Sequence, residues 1–251
     1  MPLLLFILFL VISTLYSLVG FGGGSSYTAI LYLTDTPEAL IKIVSLSCNI
    51  VVSALGVVAF GRAGHLKLAI ALPFIITSIP LAYLGGAWAI SSFVFRNLLA
   101  IALSLSGLLM LATHKKSQWI PRPLSLKFKW LGGGIFGGIL GLLSGLVGIG
   151  GGIFLSPAMN LARWATPKQI AAVASLFIFC NSIAGMIGQI TKQEATWEHY
   201  QNYAALPISV LVGGFIGSYF GSRKLPNTWI RRGTGILVII VAARIWYQLY
   251  V

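Results

Sequence analysis

A chain of 251 residues with 57% hydrophobic and only 8% charged side chains cannot clothe a soluble domain, for which about 25% charge is usual. Its net charge of +13 sits in short clusters between apolar runs. No aromatic–basic stripe accompanies them, which excludes nucleic acid as a partner and leaves a polytopic membrane protein whose apolar surface faces lipid.

The chain opens on an apolar stretch, 3–33, broken by Gly22, Gly23 and Gly24. It lacks the positive start and small-residue cleavage site of a signal peptide, so it reads as retained. Apolar runs of near span length follow over 42–60, 66–90 and 93–112. Residues 113–129 are the most polar segment, carrying His114, Lys115, Lys116, Arg122 and two prolines, and read as a linker. A second broken stretch covers 130–162, interrupted by Gly150, Gly151 and Gly152, and further runs cover 168–190, 200–222 and 227–250. Cys48 and Cys180 lie within runs, have no metal-ligand spacing and read as packing residues. Arg244, inside the last run, is expected to snorkel outward. The three histidines stand apart at segment ends, so neither a metal site nor a cofactor is expected.

The order of features repeats. Val19-Gly20-Phe21-Gly22-Gly23-Gly24 matches Val147-Gly148-Ile149-Gly150-Gly151-Gly152 at an offset of 128. Thr36-Pro37 matches Thr166-Pro167, Cys48-Asn49 matches Cys180-Asn181, Leu72-Pro73 matches Leu206-Pro207, and Gly85 matches Gly217. A two-fold internal repeat is a common plan of secondary transporters. The expected domains are therefore a first transmembrane repeat over 1–112, a cytoplasmic linker over 113–129 and a second repeat over 130–251.

Charge chooses between two topologies. If every apolar stretch spans once, Lys and Arg divide eight against eight across the membrane, with Arg244 left out. If each broken stretch is a re-entrant hairpin, three spans remain per half and the halves are inverted. One side then carries Arg62, Lys67, Lys115, Lys116, Arg122, Lys127, Lys129, Arg163, Lys168, Arg223, Lys224, Arg231 and Arg232, and the other only Lys42, Arg96 and Lys192. That bias is what the positive-inside rule demands. The expected fold is all-α and integral to the membrane: two inverted repeats, each a glycine-broken re-entrant hairpin plus three transmembrane helices. Both chain ends lie outside.

The breaks carry the chemistry. Three glycines weaken a helix by about 1 kcal/mol each relative to alanine. Non-helical backbone survives in a bilayer only where protein, water or a ligand supplies partners. A helix restarting at Gly24 or Gly152 aims free N–H groups and a positive dipole end at the break, and so offers an anion site. The candidate substrate-binding residues are Gly22, Gly23, Gly24, Ser25 and Ser26 in the first half, and Gly150, Gly151, Gly152 and Ile153 in the second. Asn49 and Asn181, at matched positions, can donate amide N–H groups, and Ser45, one turn before Asn49, and Ser175, six residues before Asn181, are further candidates to line the site. Close helix packing for the glycines, interhelical hydrogen bonding for the asparagines and bonding back to the helix for the serines are the competing readings. No carboxylate lies mid-run, so a titrating relay is not expected. No nucleophile, base or metal cluster suggests an enzyme.

These two glycine motifs, the second continuing as Ile153-Phe154-Leu155-Ser156-Pro157, resemble the sulfite exporter TauE/SafE family, with Ser45-Leu46 and Ala174-Ser175-Leu176 following. The first copy departs from the pattern, with Ser25-Ser26-Tyr27 where the second has apolar residues leading to proline. The resemblance spans nearly the whole chain. It implies a permease of the bacterial inner membrane that exports a small sulfur-containing oxyanion, sulfite or an organosulfonate. The partners it implies are the bilayer, a sulfite-like anion and, in a homodimer, a second copy. A passive anion channel and a non-transporting membrane subunit of a complex are the alternatives.

Overall fold

A computed structural model describes residues 3–112, 126–191, 200–201, 203–223 and 228–250. Among these there are ten helices and no strand. They are α1 (Leu3–Ser17), α2 (Gly24–Leu33), α3 (Glu38–Arg62), α4 (Leu68–Ala87), α5 (Ser92–Ala112), α6 (Leu126–Val147), α7 (Gly152–Leu161), α8 (Pro167–Thr191), α9 (Leu206–Arg223) and α10 (Thr228–Tyr250). Among the described residues, α3, α4, α5, α6 and α8 each contain a window long and apolar enough to cross a bilayer.

Several boundaries follow from local chemistry. Pro37 caps α3 and Pro167 opens α8, positions where a missing N–H is harmless. Glu38 in the first turn of α3 and Arg62 in its last complement the helix dipole. The run expected from residue 200 becomes helix α9 only at Leu206, one residue before Pro207, because proline suits the first turn of a helix. Helix α6 begins at Leu126, inside the segment read as linker. The rest of that segment, 113–125, lies outside the described residues, as do Lys192, Glu194, Glu198 and His199.

Packing is by small residues, as expected where lipid removes any hydrophobic drive between helices. On α6, Gly137 lies against Phe74, Gly141 against Ser78 and Gly145 against Ala82, so α6 and α4 run parallel in close contact. On α9, Gly213 lies against Leu10, Gly217 against Thr14 and Gly221 against Leu18, so α9 and α1 do the same. Helices α3 and α8 run antiparallel: Leu46 touches Gly185, Gly56 meets Ser175, and Phe60 packs with Ala171 and Ala172.

The main pairings survive exchange of α1–α5 for α6–α10. Contact of α4 with α6 and α8 is matched by contact of α9 with α1 and α3. Contact of α2 with α3 and α10 is matched by contact of α7 with α8 and α5, and α3–α8 and α5–α10 map onto themselves. Backbone details repeat too. Asp35, just after α2, and Arg163, just after α7, are the non-glycine residues with positive φ among those described, at 51° and 50°.

Each short helix ends at a defined place. Thr36, beyond α2, is 3.3 Å from the Tyr203 hydroxyl, just before the start of α9. Trp164, beyond α7, stacks edge-on against Phe74 in the first half of α4 at 5.0 Å.

Candidate functional site

Both glycine breaks lie against the middles of α3 and α8. A Cβ at Gly22 would strike the Asn49 side chain and touch Ile178. One at Gly24 would strike Asn49 and the Ile149 carbonyl, and one at Gly150 would crowd Asn49, Ile178 and Ser182. Asn49 and Ile178 each stand near the centre of a 25-residue helix of about 37 Å. The two breaks therefore meet at mid-depth of the bundle, with Asn49 between them.

The turns that make the breaks demand glycine. Gly23 caps α2 at φ 92°, ψ 2°, and Gly151 caps α7 at φ 72°, ψ −16°, both left-handed conformations that cost other residues about 1–2 kcal/mol. Neither cap has a side-chain partner. Among the described residues, no partner is present for the N–H groups of residues 22–25 or 150–153. In each half the next amides, Ser26 and Tyr27, Phe154 and Leu155, bond back to the capping carbonyl at 3.0–3.3 Å. Two sets of four N–H groups thus remain where two helix N-termini converge. All eight residues are buried.

The carbonyls at the breaks are held instead by side chains. Asn49 Nδ2 donates to Ile149 O of the other half at 3.1 Å. Ser45 Oγ donates to Gly24 O at 3.1 Å and accepts from Thr28 Oγ1 at 3.0 Å. Ser175 Oγ lies 3.1 Å from Gly20 O and 3.0 Å from Ala171 O. Ser26 shares a 2.7 Å hydrogen bond with the Tyr16 hydroxyl, and Ser25 lies 3.5 Å from the same oxygen. Ser25, Ser26, Ser45 and Ser175 are therefore engaged in shaping the breaks. Ile153 is buried and apolar at the start of α7.

Among the described residues, other polar atoms are buried without a hydrogen-bond partner: Asn49 Oδ1, both side-chain polar atoms of Asn181, and the hydroxyls of Ser144, Ser156, Ser182 and Tyr27. Ser182 borders Gly150, Ser144 borders Gly151, and the Tyr27 ring borders Gly23. A buried orphan polar atom costs about 1–3 kcal/mol, so several around one junction point to a group that supplies partners there. The sequence signalled Asn49 and Asn181 by their matched positions. Ser144, Ser182, Tyr16 and Tyr27 carried no such signal, because their roles arise only where the halves meet. A separate cleft of about 350 Å³ between α5, α6 and α7 is lined by apolar side chains such as Leu98, Phe136 and Leu140, and is not this site.

Lys42, expected on the sparsely charged side of the membrane, is buried within α3, its stem against Gly148 and its Nζ 4.5 Å above the Phe95 ring. Arg244 is exposed. Cys48 is buried and Cys180 half-buried, both free thiols.

The chain matches the sulfite exporter TauE/SafE family over residues 5–245. It belongs to that family. It is 32% identical to the probable membrane transporter protein y4hK of Sinorhizobium fredii over 241 residues, which cover 93% of this chain and 94% of that one. It is 25% identical to the probable membrane transporter protein YunE of Bacillus subtilis, over 98% of this chain and 97% of the relative. A probable membrane transporter protein of Methanocaldococcus jannaschii is 27% identical, over 84% and 80%. No solved structure matches the chain. The family and these relatives make the chain a multi-pass membrane transporter.

Proposed function

We propose that this TauE/SafE member is a carrier for a small sulfur-containing oxyanion, sulfite or an organosulfonate, and that it exports it across the bacterial inner membrane. The observation that carries the reading is the convergence of two helix N-termini at mid-depth, each with four N–H groups lacking a partner among the described residues, beside the unpartnered Ser182, which Asn181, also unpartnered, precedes on α8. Aligned N–H groups and two positive dipole ends favour an anion without any full protein charge. An oxyanion has several acceptor oxygens and can take donors from both breaks at once. The binding set in this reading is the backbone of residues 22–25 and 150–153 together with Asn181 and Ser182. Asn49, Ser45, Ser175, Ser25 and Ser26 fix the shape of the cradle.

The same reading makes the halves inverted repeats with re-entrant hairpins. The antiparallel crossing of the equivalent helices α3 and α8 supports inversion. The end of α2 beside the start of α9, which runs parallel to α1, supports a return to the side where α1 began. Trp164 against Phe74 supports the same return for α7, since α4 runs parallel to α6. The linker then lies in the cytoplasm between domains 1–112 and 130–251. An exported anion needs no titrating relay, since the inside-negative potential supplies roughly 2.3 kcal/mol per charge per 100 mV.

The test is a thermal-shift screen of the purified chain against sulfite, sulfate, thiosulfate, sulfoacetate and chloride, followed by radiolabelled flux in proteoliposomes. A ligand that binds the folded state raises its apparent stability. Stabilisation by sulfite or sulfoacetate, with saturable flux and counterflow, is the expected result. Flux that never saturates would make the protein a channel, and no response to any sulfur oxyanion would end the substrate proposal.

A further inference from the structure

The amide of Asn49 cannot turn over. Its Nδ2 donates to the Ile149 carbonyl of the other half at 3.1 Å. A carbonyl only accepts, so the amide nitrogen is fixed on that side and Oδ1 on the other. Oδ1 borders Gly22, the first residue of the first set of N–H groups, and has no hydrogen-bond partner among the described residues. Asn49 is fully buried. The other unpartnered groups bordering the breaks are adaptable. The hydroxyls of Ser144, Ser182 and Tyr27 can rotate to donate, and the Asn181 amide, with both polar atoms unpartnered, can present either end. Asn49 Oδ1 is therefore a forced acceptor at a junction otherwise rich in donors. An oxyanion stripped of all its protons offers acceptors only. It would leave Oδ1 unpaired and set it against a negative oxygen, whereas an oxyanion that keeps one hydrogen can donate it there. The charge balance agrees. Each helix N-terminus carries roughly half an elementary positive charge, so the two together match about one negative charge, and a second would be buried without a counterpart.

We propose that the cradle takes its oxyanion in the singly charged, protonated form, hydrogensulfite in the case of sulfite, with the ligand O–H donating to Asn49 Oδ1 and the bare oxygens accepting from the N–H groups of the two breaks. This deepens the oxyanion-carrier reading and rests on it. The proton then crosses the membrane on the substrate. Each turnover moves one negative charge and one proton with each sulfur, and no side chain has to bind or release a proton. On α1, α2, α3, α6, α7 and α8, the titratable side chains within two turns of the junction are Tyr16, Tyr27, Lys42, Cys48 and Cys180. The test therefore separates the titration of the ligand from any titration of these groups.

The purified full chain is titrated at a series of pH values with sulfite and, in parallel, with selenite, whose monoanion keeps its proton to higher pH. Affinity is read from the thermal shift. Apparent affinity for sulfite is expected to fall about tenfold per pH unit once hydrogensulfite deprotonates, because only the protonated fraction binds. The same fall for selenite is expected to begin at the higher pH set by its own dissociation. A fall at one common pH for both ligands would assign the titration to the protein and overturn the proposal, as would an affinity that stays level or rises with pH. The direction of proton movement is a second readout. In proteoliposomes loaded with sulfite and a pH-sensitive dye, at clamped potential, outward flux of hydrogensulfite is expected to make the lumen more alkaline, since the sulfite left behind takes up protons to replace it. Flux of the dianion would acidify the lumen and overturn the proposal. Absence of binding of either ligand at any pH, with no flux above that of protein-free vesicles, would bring down the carrier reading first, and this inference with it.

Discussion

Asparagines 49 and 181 occupy equivalent helical positions yet do different work. Asn49 bridges the halves through the Ile149 carbonyl, while the Asn181 side chain has no hydrogen-bond partner among the described residues. Removing a partner from a buried carbonyl is costly, so Asn49→Ala should lower stability by about 1–3 kcal/mol, read as a fall in melting temperature of the detergent-solubilised protein. Replacing an unsatisfied amide by an apolar group of similar size should cost nothing. Asn181→Leu is therefore expected to keep or raise the ligand-free melting temperature and to abolish the stabilisation by sulfite. A lowered melting temperature with the sulfite shift intact would return Asn181 to a structural role. Lysine 42 illustrates the same point about context: a residue that reads as a boundary charge in the sequence is enclosed once α5 and the second break pack over it.

Among the elements, the parallel pairs α4–α6 and α9–α1 are built from glycines set against a neighbour's backbone. A Cβ at Gly85 would strike the Leu142 carbonyl, and one at the matched Gly217 would strike the Thr14 carbonyl. Gly85→Val and Gly217→Val are thus expected to destabilise by similar amounts, about 1–3 kcal/mol or more each, as overpacking does. Thermal unfolding of the two variants side by side checks it, and a large difference would argue that the pairs are not equivalent. This equivalence was legible in the sequence, as were the breaks, because glycine runs and proline dipeptides mark backbone events that need no partner to be recognised. The facing of the helices was not legible. Helices α3 and α8 are apolar on most sides, so no polar stripe says which side meets which neighbour. That is why Ser45 and Ser175 read as candidate ligand contacts, although their hydroxyls reach break carbonyls on other elements. The start of α6 at Leu126 was hidden for a related reason: Lys127 and Lys129 look like linker but sit in its first turn.

For the molecule as a whole, sidedness is the open measurement. Asp35 is exposed and Arg163 half-exposed at equivalent corners after α2 and α7. In a background with Cys48 and Cys180 replaced by alanine, a cysteine at 35 should react with an impermeant thiol reagent from outside intact cells. A cysteine at 163 should react only after permeabilisation. Labelling of both from one side would leave the halves parallel and remove the inverted reading. The interlocked packing has a further consequence for ancestry. With α4 seated on α6 and α9 on α1, neither half owns a complete set of neighbours. On the inverted reading, a progenitor with a single copy of this unit had to associate with a twin inserted upside down. Such a protein must enter the bilayer both ways round, which forbids a strong basic asymmetry. On that reading, the lysines and arginines that orient the present chain belong to the joined copies and not to such a progenitor.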